Sequence, residues 1–250
     1  MEFLHVYKEA GLAFINLCRG KVNALNEPMM EEIGSCFSQL ETDDSVKTIV
    51  FSGTGKFFSF GFDIPEFLTY SKEEFFRHLS KFVSVCTQIY LFPKPVVAAL
   101  NGHTMAAGCI LALACDYRIM VSGKARISIN EINLGASVDA GTVEMLRCLV
   151  GGRNAERILF SGGMYSAEEA ERFGLVDKVV EEANLREEAA KIAGDFSAKA
   201  PAAFRSIKRL VRGPVAEKAA AREESSMREF VDIWYSEQTR KKMSEIEIRT

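Results

Sequence analysis

The chain has 250 residues, of which 48% are hydrophobic and 26% are charged, and its formal net charge at pH 7 is −3. This length supports one sizeable core with a helical appendage, and the composition is typical of a globular protein. The slightly acidic balance argues against nucleic acid or an anionic membrane as the main partner. No apolar run reaches the roughly 18 residues that span a bilayer, and the first residues lack a signal-peptide pattern, so we expect a cytoplasmic protein.

The cysteines and histidines give no sign of a metal site. The six cysteines form no C-x-x-C pair, and the three histidines lie far apart in the sequence. We therefore expect reduced, buried thiols and no bound metal. The cysteines are Cys18, Cys36, Cys86, Cys109, Cys115 and Cys148.

Strand and helix patterns alternate in the first half of the chain. Strands at 2–8 and 11–17 flank a turn at 9–11 and predict a hairpin, and Asn26 caps a helix that runs to about residue 40. The other predicted elements here are a strand at 46–51, a helix at 72–91, a strand at 95–100, an apolar helix at 106–115, and strands at 116–121 and 125–129. This alternation predicts an α/β core with units of two strands and a helix.

Helical patterns dominate beyond residue 139. Helices are predicted at 139–150, 153–162, 166–173, 184–199, 202–212 and 216–236, with one strand at 175–180. Near the end, an aromatic patch combines Phe230, Ile233, Trp234 and Tyr235. This patch is either a core face folded onto the α/β body or a surface packed against another subunit. We expect the subunit contact, because exposed aromatic patches seldom stay uncovered.

Two loops offer backbone amides at small residues. The apolar helix starts at Ala106, Ala107 and Gly108. The first amides of a helix have no internal partner and lie at the positive end of the helix dipole. Such amides suit an oxygen that becomes negative during a reaction. The second loop, SFGFDI at 59–64, contains Gly61. The alternatives are that Gly61 only marks a turn and that the small residues only permit close helix packing.

A carboxylate lies in an otherwise apolar stretch of the sequence. The segment RISINEINLGAS at 126–137 places Glu131 at the end of a strand-like run. Partial desolvation there would raise the pKa of Glu131 toward values that suit a general base. The alternative is an exposed glutamate at the end of a strand.

Five segments of the chain, in the same order, resemble the crotonase (enoyl-CoA hydratase/isomerase) family. KVNALN at 21–26 is similar to the family's CoA-binding loop, and KFFSFGFDI at 56–64 to its first oxyanion-hole motif. The segment at 101–119 resembles the second oxyanion-hole motif, and NEINLG at 130–135 the segment that bears the catalytic glutamate. FSGGMYSAEEAERFGLVDKVV at 160–180 resembles the start of the family's helical C-terminal region.

The resemblance implies a fold, a substrate class and an assembly. The fold is α/β, a crotonase-like superhelical core of repeated ββα units at 1–195 followed by a helical oligomerisation region at 196–250. The implied partner is an acyl-CoA substrate, with coenzyme A as part of the substrate and no separate cofactor. The family implies a homotrimer or hexamer and a role in fatty acid β-oxidation.

Carried over by position, the resemblance also implies site residues. The oxyanion donors fall on the amides of Phe62 and Ala107, and the catalytic carboxylate falls on Glu131. Lys208, in a basic helix with Arg205, Arg209 and Arg212, falls near the CoA. The implied substrate-binding residues are Ala24, Phe60, Gly61, Asp63, Ile64, Ile110, Asn130 and Lys208.

Ile110 departs from the pattern of the family's hydratases, which carry a second glutamate at this position. Hydration divides its proton transfers between two glutamates, whereas moving a double bond requires one proton carried between two carbons. The resemblance is therefore to isomerases that convert a 3-enoyl-CoA into a 2-enoyl-CoA. The alternatives are a hydratase or another crotonase-fold reaction, and a non-catalytic member that binds acyl-CoA or RNA.

Overall fold

The computed structural model describes residues 1–246. Its elements are, in chain order, β1 (Leu4–Glu9), β2 (Leu12–Leu17), β3 (Ala24–Leu25), α1 (Glu27–Glu41), β4 (Thr48–Gly53), β5 (Phe57–Ser59), β6 (Gly61–Phe62), α2 (Ile64–Phe67), α3 (Lys72–Leu91), β7 (Val96–Leu100), β8 (His103–Met105), α4 (Ala107–Ala114), β9 (Tyr117–Val121), β10 (Ile127–Ser128), α5 (Glu131–Leu134), α6 (Ala140–Ser161), α7 (Ala167–Phe173), β11 (Lys178–Val180), a 3₁₀ turn (Glu182–Asn184), α8 (Leu185–Ser197), α9 (Pro201–Trp234) and α10 (Glu237–Met243).

A six-stranded sheet forms the centre of the fold, in the order β1-β2-β4-β7-β9-β11. β1 and β2 form the antiparallel hairpin expected from the sequence, and the later strands add in parallel. The tight turn uses two positive φ angles, 51° at Ala10 and 81° at Gly11. Every residue of β7 is buried, as expected of a parallel strand covered on both faces.

Short strands form a second layer and repeat the ββα unit. β5, β8 and β10 form a parallel three-stranded sheet, and β3 pairs with β6. The strands β2, β7 and β9 of the main sheet each lead into a short strand and then a helix, as in β7-β8-α4. The expected α/β fold of repeated ββα units is therefore present, and the loops that leave the second layer carry the candidate site residues.

The apolar helix α4 is completely buried and packs closely on β5. All of its residues, Ala107–Ala114, are buried. A Cβ atom at Gly108 would lie 2.7 Å from both Cβ and the carbonyl oxygen of Ser59. Only glycine fits this contact, so the start of α4 has a fixed position relative to β5.

The C-terminal helices agree with the sequence prediction at one point and differ from it at another. Gly151, with φ 77° and ψ 160°, interrupts α6, so the predicted break near this residue is confirmed. By contrast, α9 continues through Gly213 and Pro214, where two separate helices were expected. A proline inside a helix costs about 3 kcal/mol. Packing of α9 along α3 and α6 accounts for the uninterrupted helix.

The aromatic patch on α9 lies within the chain, which corrects the expected subunit contact. Phe230 and Trp234 are 5% and 2% exposed. Trp234 stacks on Phe75 of α3, with ring centroids 4.4 Å apart and planes at 24°. The sequence of α9 is rich in charged residues, and it does not indicate whether α3 or another subunit covers the few apolar residues of this helix. The predicted role of residues 196–250 in oligomerisation stays a prediction.

Two expectations based on composition can be compared with the described part of the chain. Cys36, Cys86, Cys109 and Cys115 are buried free thiols, whereas Cys148 is exposed and Cys18 half-buried. Within residues 1–246, no helix is both long enough and apolar enough to cross a membrane.

The close contact at Gly108 predicts that alanine destabilises the protein at this position and stabilises it at an uncrowded helical glycine. Gly108→Ala should lower the free energy of unfolding by about 2–3 kcal/mol, because the new methyl group overlaps Ser59. Gly194→Ala in α8 is the matched control, since nothing lies within 4 Å of its Cβ position, and it should stabilise the protein by about 0.5–1 kcal/mol. Urea unfolding of both variants measures the difference. Equal stability of Gly108→Ala and the wild type would contradict the close contact.

Candidate active site

A mostly apolar cavity of about 200 Å³ lies between the second strand layer and the C-terminal helices. Leu79 and Phe82 of α3 form one wall, and Phe230 and Trp234 of α9 form another. The cavity also contains polar atoms without partners. Within residues 1–246, the buried atoms Asn130 Oδ1, Glu131 Oε2 and Trp234 Nε1 have no hydrogen-bond partner. Buried polar atoms are almost always paired, so these atoms indicate a site for a ligand.

The first residues of α4 present a backbone amide to this cavity. Ala107 is the first helical residue and lines the cavity, so its N–H has no acceptor inside the helix. The preceding residue, Ala106, has φ 48° and ψ −123°, a conformation that is unfavourable for a residue with a Cβ atom. Its own N–H donates to the carbonyl oxygen of Ser128 at 2.8 Å, which fixes this turn. The strained turn at Ala106 therefore fixes the direction in which α4 begins.

The loop at Gly61 contacts the start of α4. A Cβ atom at Gly61, where φ is 99°, would lie 3.0 Å from Cβ of Ala106 and 3.2 Å from the nitrogen of Ala107. Next along the chain, the N–H of Asp63 donates to the carbonyl oxygen of Leu25 at 2.9 Å. Phe62 lies between these two contacts and lines the same cavity as Ala107.

An ion pair holds the loop that contains Phe62. Arg19 Nη1 lies 2.7 Å from Asp63 Oδ2 and donates to the carbonyl oxygen of Ala24 at 2.8 Å. Asp63 also caps α2 by accepting from the N–H of Glu66 at 3.3 Å. Ala24 and Asp63, both expected to bind substrate, are buried but do not line the cavity, and the same holds for Gly61. The contacts of Ala24 and Asp63 with Arg19 hold the loop that contains Phe62 in place.

Glu131 is the carboxylate that this site offers as a base. It is the first residue of α5, lines the cavity and is 8% exposed. Burial raises its pKa to about 8, opposed by its own backbone N–H and assisted by the negative charge of Asp139. Phe60, Ile64, Ile110 and Asn130 line the same cavity, as expected for substrate-binding residues. A desolvated carboxylate that ionises near neutral pH can accept and return a proton.

Asp139 is a cavity residue that the sequence analysis missed. It is 4% exposed and lines the cavity beside Glu131. Its carboxylate caps α6, because Oδ1 accepts from the N–H of Thr142 at 2.9 Å and Oδ2 accepts from Thr142 Oγ1 at 2.6 Å. The sequence signal was an aspartate before a helix, which predicts the cap and not its location at the cavity.

A histidine without hydrogen bonds lies behind Phe62. His78 of α3 is fully buried, and its ring centroid is 5.2 Å from that of Phe62 and 4.1 Å from that of Phe67. Burial lowers the pKa of His78 to about 4. The imidazole is therefore neutral at physiological pH and acts as part of the packing beneath the loop.

Lys208 does not line the cavity, and its expected place near the CoA stays a prediction. Its side chain is buried, with Nζ 2.7 Å from Asp116 Oδ2, and Arg212 contacts the other oxygen of Asp116 at 3.2 Å. Burial lowers the pKa of Lys208 to about 8. The ammonium group is thus used to anchor α9 to the end of α4. Arg205 and Arg209 of the same helix remain exposed.

The raised pKa of Glu131 predicts that replacing this side chain by a neutral amide changes the stability of the folded protein. The ordinary pKa is 4.5 and the folded value about 8, so between them the folded protein binds the extra proton. The free energy of unfolding therefore decreases as the pH rises through this window. Glu131→Gln removes the penalty and should raise Tm by roughly 5 °C near pH 9.

The gain in Tm should disappear as the pH falls toward 4.5, the ordinary pKa of a glutamate. Thermal unfolding of Glu131→Gln and the wild type, followed by circular dichroism at several pH values, measures it. A Tm difference that is the same at every pH would argue against an uncompensated buried carboxyl group.

Known proteins resemble this chain over nearly its full length. A family model described as enoyl-CoA hydratase/isomerase matches residues 7–249. The chain is 36% identical over 209 residues to the crotonyl-CoA hydratase of Syntrophomonas wolfei, which covers 83% of this chain and 80% of that protein. It is 34% identical over 206 residues to the short-chain-enoyl-CoA hydratase of Clostridium acetobutylicum, with coverages of 82% and 78%.

A solved structure is similar as well. The human mitochondrial δ3-δ2-enoyl-CoA isomerase superposes with a TM-score of 0.93 at 26% identity, covering 97% of this chain and 96% of that one. The family and fold inferred from the sequence motifs are therefore confirmed. The chain belongs to the enoyl-CoA hydratase/isomerase family and has its crotonase fold.

Proposed function

We propose that this protein is an isomerase that moves the double bond of a 3-enoyl-CoA to the 2-position. The observation that carries the proposal is the combination of one carboxylate with a free oxygen and one apolar residue in the same cavity. Within the described part of the chain, Glu131 Oε2 is buried without a hydrogen-bond partner, and Ile110 is 4% exposed at a cavity position three residues after Ala107. Both oxygens of the other cavity carboxylate, Asp139, accept hydrogen bonds from Thr142.

The proposed reaction moves one proton between two carbons. The thioester oxygen of the substrate accepts hydrogen bonds from the amides of Phe62 and Ala107. Glu131 removes a proton from C2, and the electron pair of that C–H bond delocalises through the C3–C4 double bond and the thioester to give a dienolate. The protonated Glu131 then delivers the proton to C4, which leaves the double bond between C2 and C3. The oxidation state does not change, so the reaction requires no redox cofactor.

The two amides contribute by stabilising the dienolate. Their hydrogen bonds strengthen as negative charge develops on the thioester oxygen, and removing one such donor typically costs about 10²–10³ in rate. Both donors belong to the backbone, so the side chains of Phe62 and Ala107 need not take part. The apolar walls exclude water, which strengthens these hydrogen bonds.

The alternative is a hydratase, which the names of the sequence relatives favour. Hydration must activate a water molecule and protonate a carbon. The family's hydratases carry a second glutamate where this chain has Ile110, and a hydrocarbon side chain cannot exchange a proton. This difference supports isomerisation over hydration.

Glu131→Gln should nearly abolish isomerisation, because an amide cannot accept the C2 proton. With 3-hexenoyl-CoA as substrate, we expect kcat to fall by at least about 10³. The appearance of the conjugated thioester is followed by its ultraviolet absorbance, and acyl-CoA binding is measured by calorimetry as the control. Near-normal turnover with retained binding would eliminate Glu131 as the base.

Crotonyl-CoA separates the isomerase from the hydratase. We expect the wild type to produce the conjugated thioester from 3-hexenoyl-CoA but little 3-hydroxyacyl-CoA from crotonyl-CoA. Chromatography of both product mixtures measures the ratio. Efficient hydration would show that another group replaces the glutamate missing at Ile110.

Asp139→Asn should move the acid limb of the isomerase pH profile to lower pH. The negative charge of Asp139 raises the pKa of Glu131, so its removal lowers that pKa and leaves more of the base ionised below pH 8. Asparagine retains the capping oxygen for Thr142. Initial rates across the pH range measure the shift. A limb that stays in place or moves upward would contradict the electrostatic influence of Asp139.

A further inference from the structure

The short helix α10 contacts the segment that carries Glu131. Thr239 is 2% exposed, and its Oγ1 donates to the carbonyl oxygen of Gly135 at 2.7 Å. Gly135, with φ 78°, ends the four-residue helix α5, in which Glu131 is the first residue. Lys242 Nζ donates to the carbonyl oxygen of Asn133 in the same helix at 3.4 Å.

The same end of the chain contacts the segment that follows Phe62. Arg240 Nη2 donates to the carbonyl oxygen of Leu68 at 2.8 Å. The hydroxyl group of Tyr235, just before α10, donates to the carbonyl oxygen of Tyr70. The Arg240 guanidinium also lies 5.2 Å from the centroid of the Tyr235 ring, which orders the two donors relative to each other.

Both contacted segments depend on such anchors for their position. α2 and α5 are helices of four residues each, and a single turn is not stable by itself in water. α5 has one further anchor in the hydrogen bond from Asn133 Nδ2 to the carbonyl oxygen of Gly162 at 2.7 Å. The segment around α2 is held on its other side by Arg19 through Asp63. α10 thus contacts both α5 and Leu68, the residue that caps the C-terminus of α2.

We propose that Thr239 and Arg240 are positioning residues that set the separation between the Glu131 carboxylate and the Phe62 amide. The two side chains are adjacent in one helix, and they bind the segments that follow Glu131 and Phe62, which both line the cavity. Met243 of the same helix is 1% exposed and lines the cavity, so α10 also forms part of the cavity wall. Neither Thr239 nor Arg240 lines the cavity, so both act through Glu131 and Phe62. This assignment of roles rests on the proposed isomerase function.

A series of variants tests the assignment. Thr239→Val keeps the shape and removes the donor, and Arg240→Met keeps an apolar stem and removes the guanidinium. Because misplacement of reacting groups affects the chemical step, kcat for 3-hexenoyl-CoA should fall about tenfold in each variant while KM stays within about twofold. Thr239→Ser, which keeps the hydroxyl, should restore at least about half of kcat. Gln238→Ala, at an exposed neighbouring position, should match the wild type.

The double variant tests whether the two contacts set one distance. If they act on the same separation, their effects are not additive, and Thr239→Val combined with Arg240→Met should lose little more than either single variant. Losses that multiply would overturn the common role. Unchanged kcat in folded Thr239→Val, or an equal loss in Thr239→Ser, would overturn the role of the hydroxyl group.

Hydrogen exchange provides a readout that does not depend on the reaction. Thr239→Val should speed exchange of the amides at 131–136, and Arg240→Met that of the amides at 64–70, with Gln238→Ala unchanged. If the wild type fails to isomerise 3-hexenoyl-CoA, the proposed function fails while exchange still measures the anchoring. If isomerisation is normal and exchange in both segments is unaffected, the positioning role fails alone.

Discussion

The candidate site depends on one constraint, a carboxyl group kept in an apolar cavity with an oxygen that has no hydrogen-bond partner among residues 1–246. Burial without a partner raises the pKa of Glu131 to about 8, because the anion loses its hydration and gains little in return. The surrounding fold must therefore supply enough stability to hold this group in place. The completely buried strand β7 and helix α4 provide that support. Under the proposed mechanism, the same lack of hydration that makes the ionised Glu131 costly lets it act as the base.

The other half of the site consists of backbone geometry. Ala106 has a positive φ of 48°, and Gly61 approaches so closely that a side chain there would contact Ala106 and Ala107. Packing of Gly108 on Ser59 holds this arrangement rigidly. Amides fixed in this way need no reorganisation when charge develops on a bound oxygen, which is the source of their effect.

Sequence reasoning succeeded where function depends on local chain geometry. The small residues before α4, the glycine loop at Gly61 and the carboxylate at Glu131 are contiguous patterns, and the structure brings them to one cavity. It failed where distant segments meet. The buried pairing of Lys208 with Asp116 and the stacking of Trp234 on Phe75 depend on the path of a 34-residue helix, which its charged sequence does not determine.

The use of main-chain amides has a consequence for how this family diverges. An N–H group is the same in every residue except proline, so the proposed donors at Phe62 and Ala107 do not depend on the chemistry of their side chains. Under the proposed mechanism, the chemical outcome depends on which side chains stand at Glu131 and Ile110. A substitution at Ile110 alone would then change the reaction while overall identity barely moves. Under this proposal, a chain 36% identical to a protein named as a hydratase carries a different activity on a shared scaffold.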